Sequence, residues 1–451
     1  SVHHKIFGSP YSSSISNICA DKDGNTYLSG EFNKSLMMGP FKFKDRWGGF
    51  VAKLDNSNDV VWMKRADMQV RSLKLSGKNL IVFAQSTRTA SFANYPIEYS
   101  GENYMALLAS MSADSGEVEW TLEFTGDSDV LATDMDVKDK NIFVAGAFTS
   151  NVRLKSESLT KKYAKNNYIA KITTNGKPEW LNYVSGGDSF VTGTTVSSIA
   201  ISQYGDLVVA GEFKGSGDFA GECYEAAELR NENSLSLSES FVYLAYFDSN
   251  GNNIKVHRAI TDAQVTDIAF LKDQVYLCGY YSGSYLPNKP GAHSIFADNI
   301  KFDAVLNEKG ALLENWYVLA FKGEEPLWHF TASGKNSSRP LSITVDEKGN
   351  CYVGGFFYDD IKLSEEIEYT AHSKAPFSSG MLLMKLSNQG KLEWAKTAEN
   401  PTGGTKIYSI SLNNKLVVGG EIEGNAMFDK QYMTSRGKHQ NGFVFKFDKD
   451  Y

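Results

Sequence analysis

Proline is scarce, at 10 in 451 residues, and glycine is plentiful at 39, so long strands can run uninterrupted between tight turns. Only 4 cysteines are present, at 19, 223, 278 and 351. No two share a Cys-x-x-Cys spacing, and a core this large needs no covalent staples, so all four read as free thiols and leave the redox compartment open. No apolar run approaches the roughly 18 residues of a membrane span. A basic excess is missing too. The net charge is −7, with Lys and Arg spread along the chain, which excludes the clustered cations needed for nucleic acid or an anionic membrane surface. Ser1 is preceded by neither Met nor a signal segment, as expected of a mature or trimmed chain.

Catalytic signatures are equally sparse. The seven histidines (3, 4, 257, 293, 329, 372 and 439) show no HExxH or other ligand spacing. Nothing resembles a phosphate loop, a GxSxG elbow or a Cys/His zinc set. Asp21–Asn25 and Asp248–Asn252 have the Asp-x-x-Gly of a calcium loop without its terminal Glu, which is ordinary turn chemistry. No metal and no cofactor is expected.

What the chain does have is a repeat. Residues Ile15 to Trp62 contain an apolar run, a Gly-Asn turn, a β-rich run ending in Gly-Glu-Phe, a third run ending in Lys-Leu-Asp and a Trp-bearing fourth. Opening strands of this unit recur from Ile15, Val70, Ala132, Val196, Val265, Pro340 and Ile407. Each alternates with the period of a strand, with one bulky face (Ile18, Leu73, Met135, Ile199, Ile268, Ile343, Ile410). The residue just before is small and polar: Asn17, Ser72, Asp134, Ser198, Asp267, Ser342, Ser409. Second strands share a glycine at 30, 146, 211, 279, 355 and 420, replaced by Ala84 in the second unit. A glycine repeated inside a strand points to close backbone approach. Fourth strands carry Trp62, Trp120, Trp180, Trp328 and Trp394, read as packing residues because they recur.

The last unit stops after its third strand, and the chain begins with an orphan strand-like piece at 2–8. The expectation is an all-β, seven-bladed β-propeller of four-stranded antiparallel blades, with 3+1 closure by the N-terminal strand. It is read as one domain over 1–451, with blades at about 15–67, 68–127, 128–187, 188–260, 261–334, 335–400 and 401–451 plus 2–8.

GGFVAKLD, NNYIAKITTNGKPEWLNYVSGGDS and VDEKGNCYVGGF resemble the bacterial seven-bladed beta-propeller repeat (SBBP-like) family. The resemblance covers nearly the whole chain and is sharpest in the first, third and sixth units. The second unit departs from the pattern in its strand glycine, the fourth and fifth in the lysine. It implies an exported, periplasmic or cell-surface protein and brings no catalytic residues with it.

Candidate ligand residues are those that break the repeat. Long connections in the fourth to sixth units, about 214–238, 282–314 and 358–378, suggest a ligand wall. They carry Tyr281, Tyr285, Tyr358, Asp359 and Asp360, aromatics and acids suited to sugar or protein recognition. The competing reading is that they pack on their own small cores. Trp47 and Trp316 stand off the repeated Trp position and are candidate platforms. Glu31, Glu212 and Glu421 end second strands. Those of the first and last units could share a space, as paired carboxylates do in glycoside hydrolysis, or pair diagonally with Lys53 and Lys446. The functional expectation is a non-catalytic, monomeric binding or scaffold propeller of the cell envelope with a glycan or protein partner. The alternative is a carbohydrate-active hydrolase or lyase.

Overall fold

A computed structural model describes residues 4–87, 91–189, 191–229, 238, 240–285, 291–297, 299–370 and 378–447, with the backbone alone at Asp45, Thr87 and Tyr285. Every element among them is a β-strand, and none of the described residues forms a helix long and apolar enough to cross a membrane. The architecture is an all-β propeller whose blades are antiparallel meanders. The first blade runs Ser13–Ala20, Thr26–Met38, Phe41–Leu54 and Val60–Arg65, in that spatial order.

The expected seven-bladed ring of equal blades is corrected. Among the described residues six blades are drawn from consecutive strands, and they are unequal: three of their sheets grow to six, six and eight strands. The seventh repeat draws its edge strand from a distant part of the chain. Thr405–Leu412, Leu416–Ile422 and Asn441–Lys446 form a separate sheet with His4–Phe7 at its edge, joining the two chain ends. Counting repeats in the sequence counted this composite sheet as one blade of seven. The contacts also divide the chain into two compact units. One comprises Ser1–Glu102, Leu108–Thr121 and Pro340–Tyr451, the other Asn103–Leu107 and Leu122–Arg339.

Sheets grow where a connection after a second strand folds into a hairpin that reaches the preceding blade. Ser216–Phe219 and Glu222–Glu225 form such a hairpin, and Phe219 and Asp218 pair with Val184 and Ser185 on the outer strand of the third blade. Phe296 of Ala292–Phe296 pairs in the same way with Ile260 of the fourth. Shorter bridges do this elsewhere: Ala66 to Phe92, Thr125 to Arg153 and Glu399 to Met427. Outer strands thereby lose part of their open edge. Phe219, Phe302 and Phe428 sit in the cores between sheets, so the hairpins are also glued by apolar burial.

Inner strands are tied together by the small polar positions. The hydroxyl of Ser409 accepts from the N–H of Ile18, Asp134 from Ile199, Ser198 from Ile268, and Ser342 from Ile410. Each pair joins the same two places of adjacent sheets within one unit. A β-bulge precedes most of these residues, between Ile15 and Asn17, Val70 and Ser72, Ala132 and Asp134, Val265 and Asp267, and Ile407 and Ser409. The bulge re-aims the chain there and frees one residue from pairing.

That bulge explains the repeated glycine. It swings a carbonyl of the inner strand over the glycine of the second. A Cβ at Gly211 would lie 1.9 Å from the oxygen of Thr195, and one at Gly279 would lie 2.0 Å from that of Gln264. In the third, fourth and fifth blades the third strand places a tyrosine opposite, and Tyr168, Tyr243 and Tyr317 donate to these carbonyls at 2.8–2.9 Å, whereas the sixth has Leu382 opposite Gly355. Glycine makes room for the carbonyl, and the tyrosine satisfies it. Tyr317→Phe is expected to cost about 1–3 kcal/mol, because it strips the donor from a carbonyl beside a fully buried ring. Urea unfolding measures it, and an unchanged midpoint would mean the hydroxyl is idle.

Candidate functional site

Second strands run one residue past the glycine into Glu31, Glu212 and Glu421, so one repeat position puts a carboxylate beside the inner strand three times. Its surroundings differ each time. In the fourth blade Glu212 is internally satisfied: Thr195 and Ser197 donate their hydroxyls to it and Val265 its N–H at 3.4 Å. It ties the fourth blade to the fifth.

Glu421 lies opposite Lys406, whose Nζ is 3.7 Å from Oε1. Tyr408, the residue displaced by the bulge, hydrogen-bonds the same carboxylate; burial first, and the Glu421 charge second, push its hydroxyl well above the usual tyrosine range. Only 14 % of the Glu421 side chain is exposed, so this carboxylate is charge-balanced and held.

Glu31 is different. Among the described residues its one hydrogen bond comes from Trp47 Nε1, at 3.4 Å. Burial pushes its pKa up; the Trp47 hydrogen bond and the Arg71 charge pull the other way. A carboxylate accepts about four hydrogen bonds, so most of its capacity is unused within the protein. Trp47 is 41 % exposed, unusual for so large an apolar ring. It sits opposite Asn33 where the first hairpin leaves the blade.

Glu31, Trp47 and Glu421 line one cavity of about 430 Å³ between the first blade and the terminal sheet, together with Arg46, Ser12, Ser14, Asn33 and Gln440. That volume falls within the range of small-ligand sites. The first and last units do bring their carboxylates to a shared space. The diagonal lysines are occupied elsewhere: Lys53 pairs with Asp114 at 3.4 Å, and buried Lys446 donates to the carbonyls of Gly24 and Asp55. Sequence reasoning missed Arg46, Ser12, Asn33, Gln440 and Tyr408. Only Tyr408 had a visible signal, as a bulky residue at the displaced position that is serine or threonine in the first, third and fifth units.

The other candidates do not converge there. Trp316 is fully buried and offers no open face. Tyr281 is 4 % exposed, tilted against Phe302, with its hydroxyl pushed up to about 12, mainly by burial. Of Tyr285 the side chain lies outside the described residues. Tyr358 meets Phe356 edge-on, Asp359 adopts a left-handed φ of 57°, and Asp360 opens the strand Asp360–Lys362 opposite Thr370. Within the expected wall, then, 216–219 with 222–225, 292–296 with 300–303 and 360–362 with 368–370 are hairpin strands, and those at 216–219 and 292–296 pair with the preceding blade. Asp21 and Asp248 spend their carboxylates on turn N–H groups and on Asn25 and Asn252. No group of three His, Cys, Asp or Glu able to hold a metal occurs among the described residues.

No protein-family model and no curated protein matches the sequence, so the resemblance to the SBBP-like repeat family gains no support from those comparisons. Solved structures with a similar course of chain include a quinohemoprotein alcohol dehydrogenase from Comamonas testosteroni, at 9 % identity and TM-score 0.43, covering 98 % of this chain and 76 % of that one. BamB from Moraxella catarrhalis is 12 % identical with TM-score 0.38, covering 98 % and 100 %. Sqt1 from Saccharomyces cerevisiae is 6 % identical with TM-score 0.39, covering 98 % of each chain. Likeness at this level carries no argument about activity.

Proposed function

We propose that the chain is a non-catalytic binding propeller of the cell envelope, and that it takes a glycan or a protein segment at the cavity of Glu31, Trp47 and Glu421. The observation that carries this reading is the unequal use of one repeat position. Glu212 is consumed by donors of its own blade and the next, whereas Glu31 keeps most of its acceptor capacity beside an exposed indole. The long connections of the fourth and fifth blades, part of the sequence's first choice for the site, spend strands on pairing with the blade before them. The envelope setting rests on the repeat resemblance alone, and fractionation of the native cell would test it.

Trp47→Ala should weaken binding of any captured partner at least tenfold, about 1.4 kcal/mol, with unfolding unchanged. Equal affinity in that variant would remove the site. One observation favours a second reading, a carbohydrate-active hydrolase: burial holds the Glu31 carboxyl toward its protonated form, and a second carboxylate faces the same space. A reducing-end assay separates the two readings. Turnover that disappears in Glu31→Gln would make the protein an enzyme.

A further inference from the structure

Resting on that reading of the site, we infer that the ligand class is a neutral saccharide rather than a peptide or a charged molecule. Three properties of the cavity lead to it. The first is the polarity of its hydrogen bonding. Glu31 is acceptor-only when ionised, and the indole of Trp47 is its one hydrogen-bond donor among the described residues, at 3.4 Å. An occupant must therefore bring donors. Hydroxyl groups and ammonium groups both qualify.

The second property is charge. An ammonium ligand would need an uncompensated acidic cavity, and this one is balanced. Lys406 stands 3.7 Å from Glu421, Arg46 lines the same wall as Glu31, and Arg71 acts on Glu31 electrostatically. Two carboxylates face these three cations, so an ammonium finds no uncompensated negative charge, and an anionic group is turned away because it brings acceptors, not donors, to Glu31. Neutral donors remain.

The third property is shape. Trp47 offers a flat apolar surface next to the carboxylate that hydrogen-bonds its own indole nitrogen, so the ring is held in place before any ligand arrives. A pyranose has the matching form, with an apolar C–H face for the indole and hydroxyls at its rim for carboxylate, amide and serine groups. Ser12, Ser14, Asn33 and Gln440 supply those further polar groups around the wall. Glu421, fixed between Lys406 and Tyr408, would accept from the far side of the ring. Tyr408 then acts as a positioning residue, because it reaches the ligand only through Glu421.

The test uses the full chain and three sets of soluble probes: neutral oligosaccharides (maltotetraose, cellotetraose, tri-N-acetylchitotriose), acidic trigalacturonate and cationic chitotetraose. Tryptophan fluorescence and calorimetry are read for the parent protein, Trp47→Ala, Glu31→Gln and, as a control that does not line the cavity, Tyr204→Ala, whose ring is 75 % exposed on a turn. The expected result is binding of at least one neutral probe, weakened tenfold or more in Trp47→Ala and Glu31→Gln and unchanged in Tyr204→Ala. Preference for the cationic or acidic probe overturns the inference of a neutral ligand and leaves the cavity standing. Absence of all saccharide binding, with a protein partner lost in Trp47→Ala, does the same. Neutral binding unaffected by both cavity substitutions overturns the site itself. Tyr408→Phe should lower affinity severalfold, and a matching loss in Glu421→Gln that is not deepened in the double variant identifies the coupling as one through Glu421.

Discussion

Replacing Gly211 by alanine is expected to destabilise the protein by about 3–4 kcal/mol, near the upper end for a single methyl group. The added Cβ would lie 1.9 Å from the Thr195 carbonyl oxygen and 3.1 Å from the Tyr243 hydroxyl that bonds it. Neither neighbour can move cheaply. The carbonyl belongs to the strand segment leading to Ser198, which accepts from Ile268 of the next blade, and Tyr243 is fully buried. Relief would require unbending the inner strand or expelling the ring. Gly420→Ala should behave alike, since its Cβ would sit 1.9 Å from the Lys406 oxygen. Ala84 occupies the same repeat position in the second blade, where the third strand offers Met105 in place of the Tyr243 that faces Gly211. Ala84→Gly should therefore cost no more than about 1 kcal/mol, through chain entropy and lost burial. Urea titrations of the three variants measure this. Equal effects at 84 and 211 would refute the steric account.

Acidification gives the second large effect. His257 is buried between the rings of Tyr246 and Phe321, at 5.9 and 5.3 Å, and burial, aided by the Lys255 charge, lowers its pKa to about 4 from 6.5. The folded protein thus resists protonating a group that the unfolded chain protonates readily. For such a depressed pKa, the stability is fully present above about pH 6.5 and is lost as pH falls toward 4. The full difference is about 3 kcal/mol, taken as an upper figure at roughly 1.4 kcal/mol per pKa unit. His257→Phe keeps the stacking and removes the titration, so unfolding free energy between pH 7 and 4.5 should slope less than in the parent. His329, also lowered by burial, contributes to both proteins and cancels in the difference. Parallel slopes would show that His257 does not carry the effect.

Much of this fold was legible because propeller units repeat. The small polar residue before Ile18, Ile199 and Ile268 and the glycine at 211 stood out by recurrence, and both have one physical cause, the bulged inner strand. The bulge itself was hidden, since strict alternation continues by eye through Ser198 and Asp134. Blade number was misread because a repeat count does not tell which sheet is stitched from two chain ends. The hairpins were hidden too: Phe219 and Asp218 pair with the outer strand of the preceding blade, and no local pattern near 214–238 shows where that edge is.

The site was half legible. Glu31, Trp47 and Glu421 were suspects because they break or end the repeat, but so was Trp316, and burial alone distinguishes them. Which of three equivalent glutamates keeps free acceptors depends on neighbours up to 53 residues away, such as Val265 beside Glu212. A single sequence does not display such contacts.

Hydrogen exchange with and without a bound ligand, followed by mass spectrometry, tests the central claim most directly. With a captured neutral oligosaccharide, slowed exchange should concentrate at residues 12–14, 31–33, 46–49 and 440, the walls of the cavity. Protection confined to the hairpins at 216–225, 292–303 and 360–370, with none at Trp47, would contradict it and return the site to the long connections of the fourth to sixth blades.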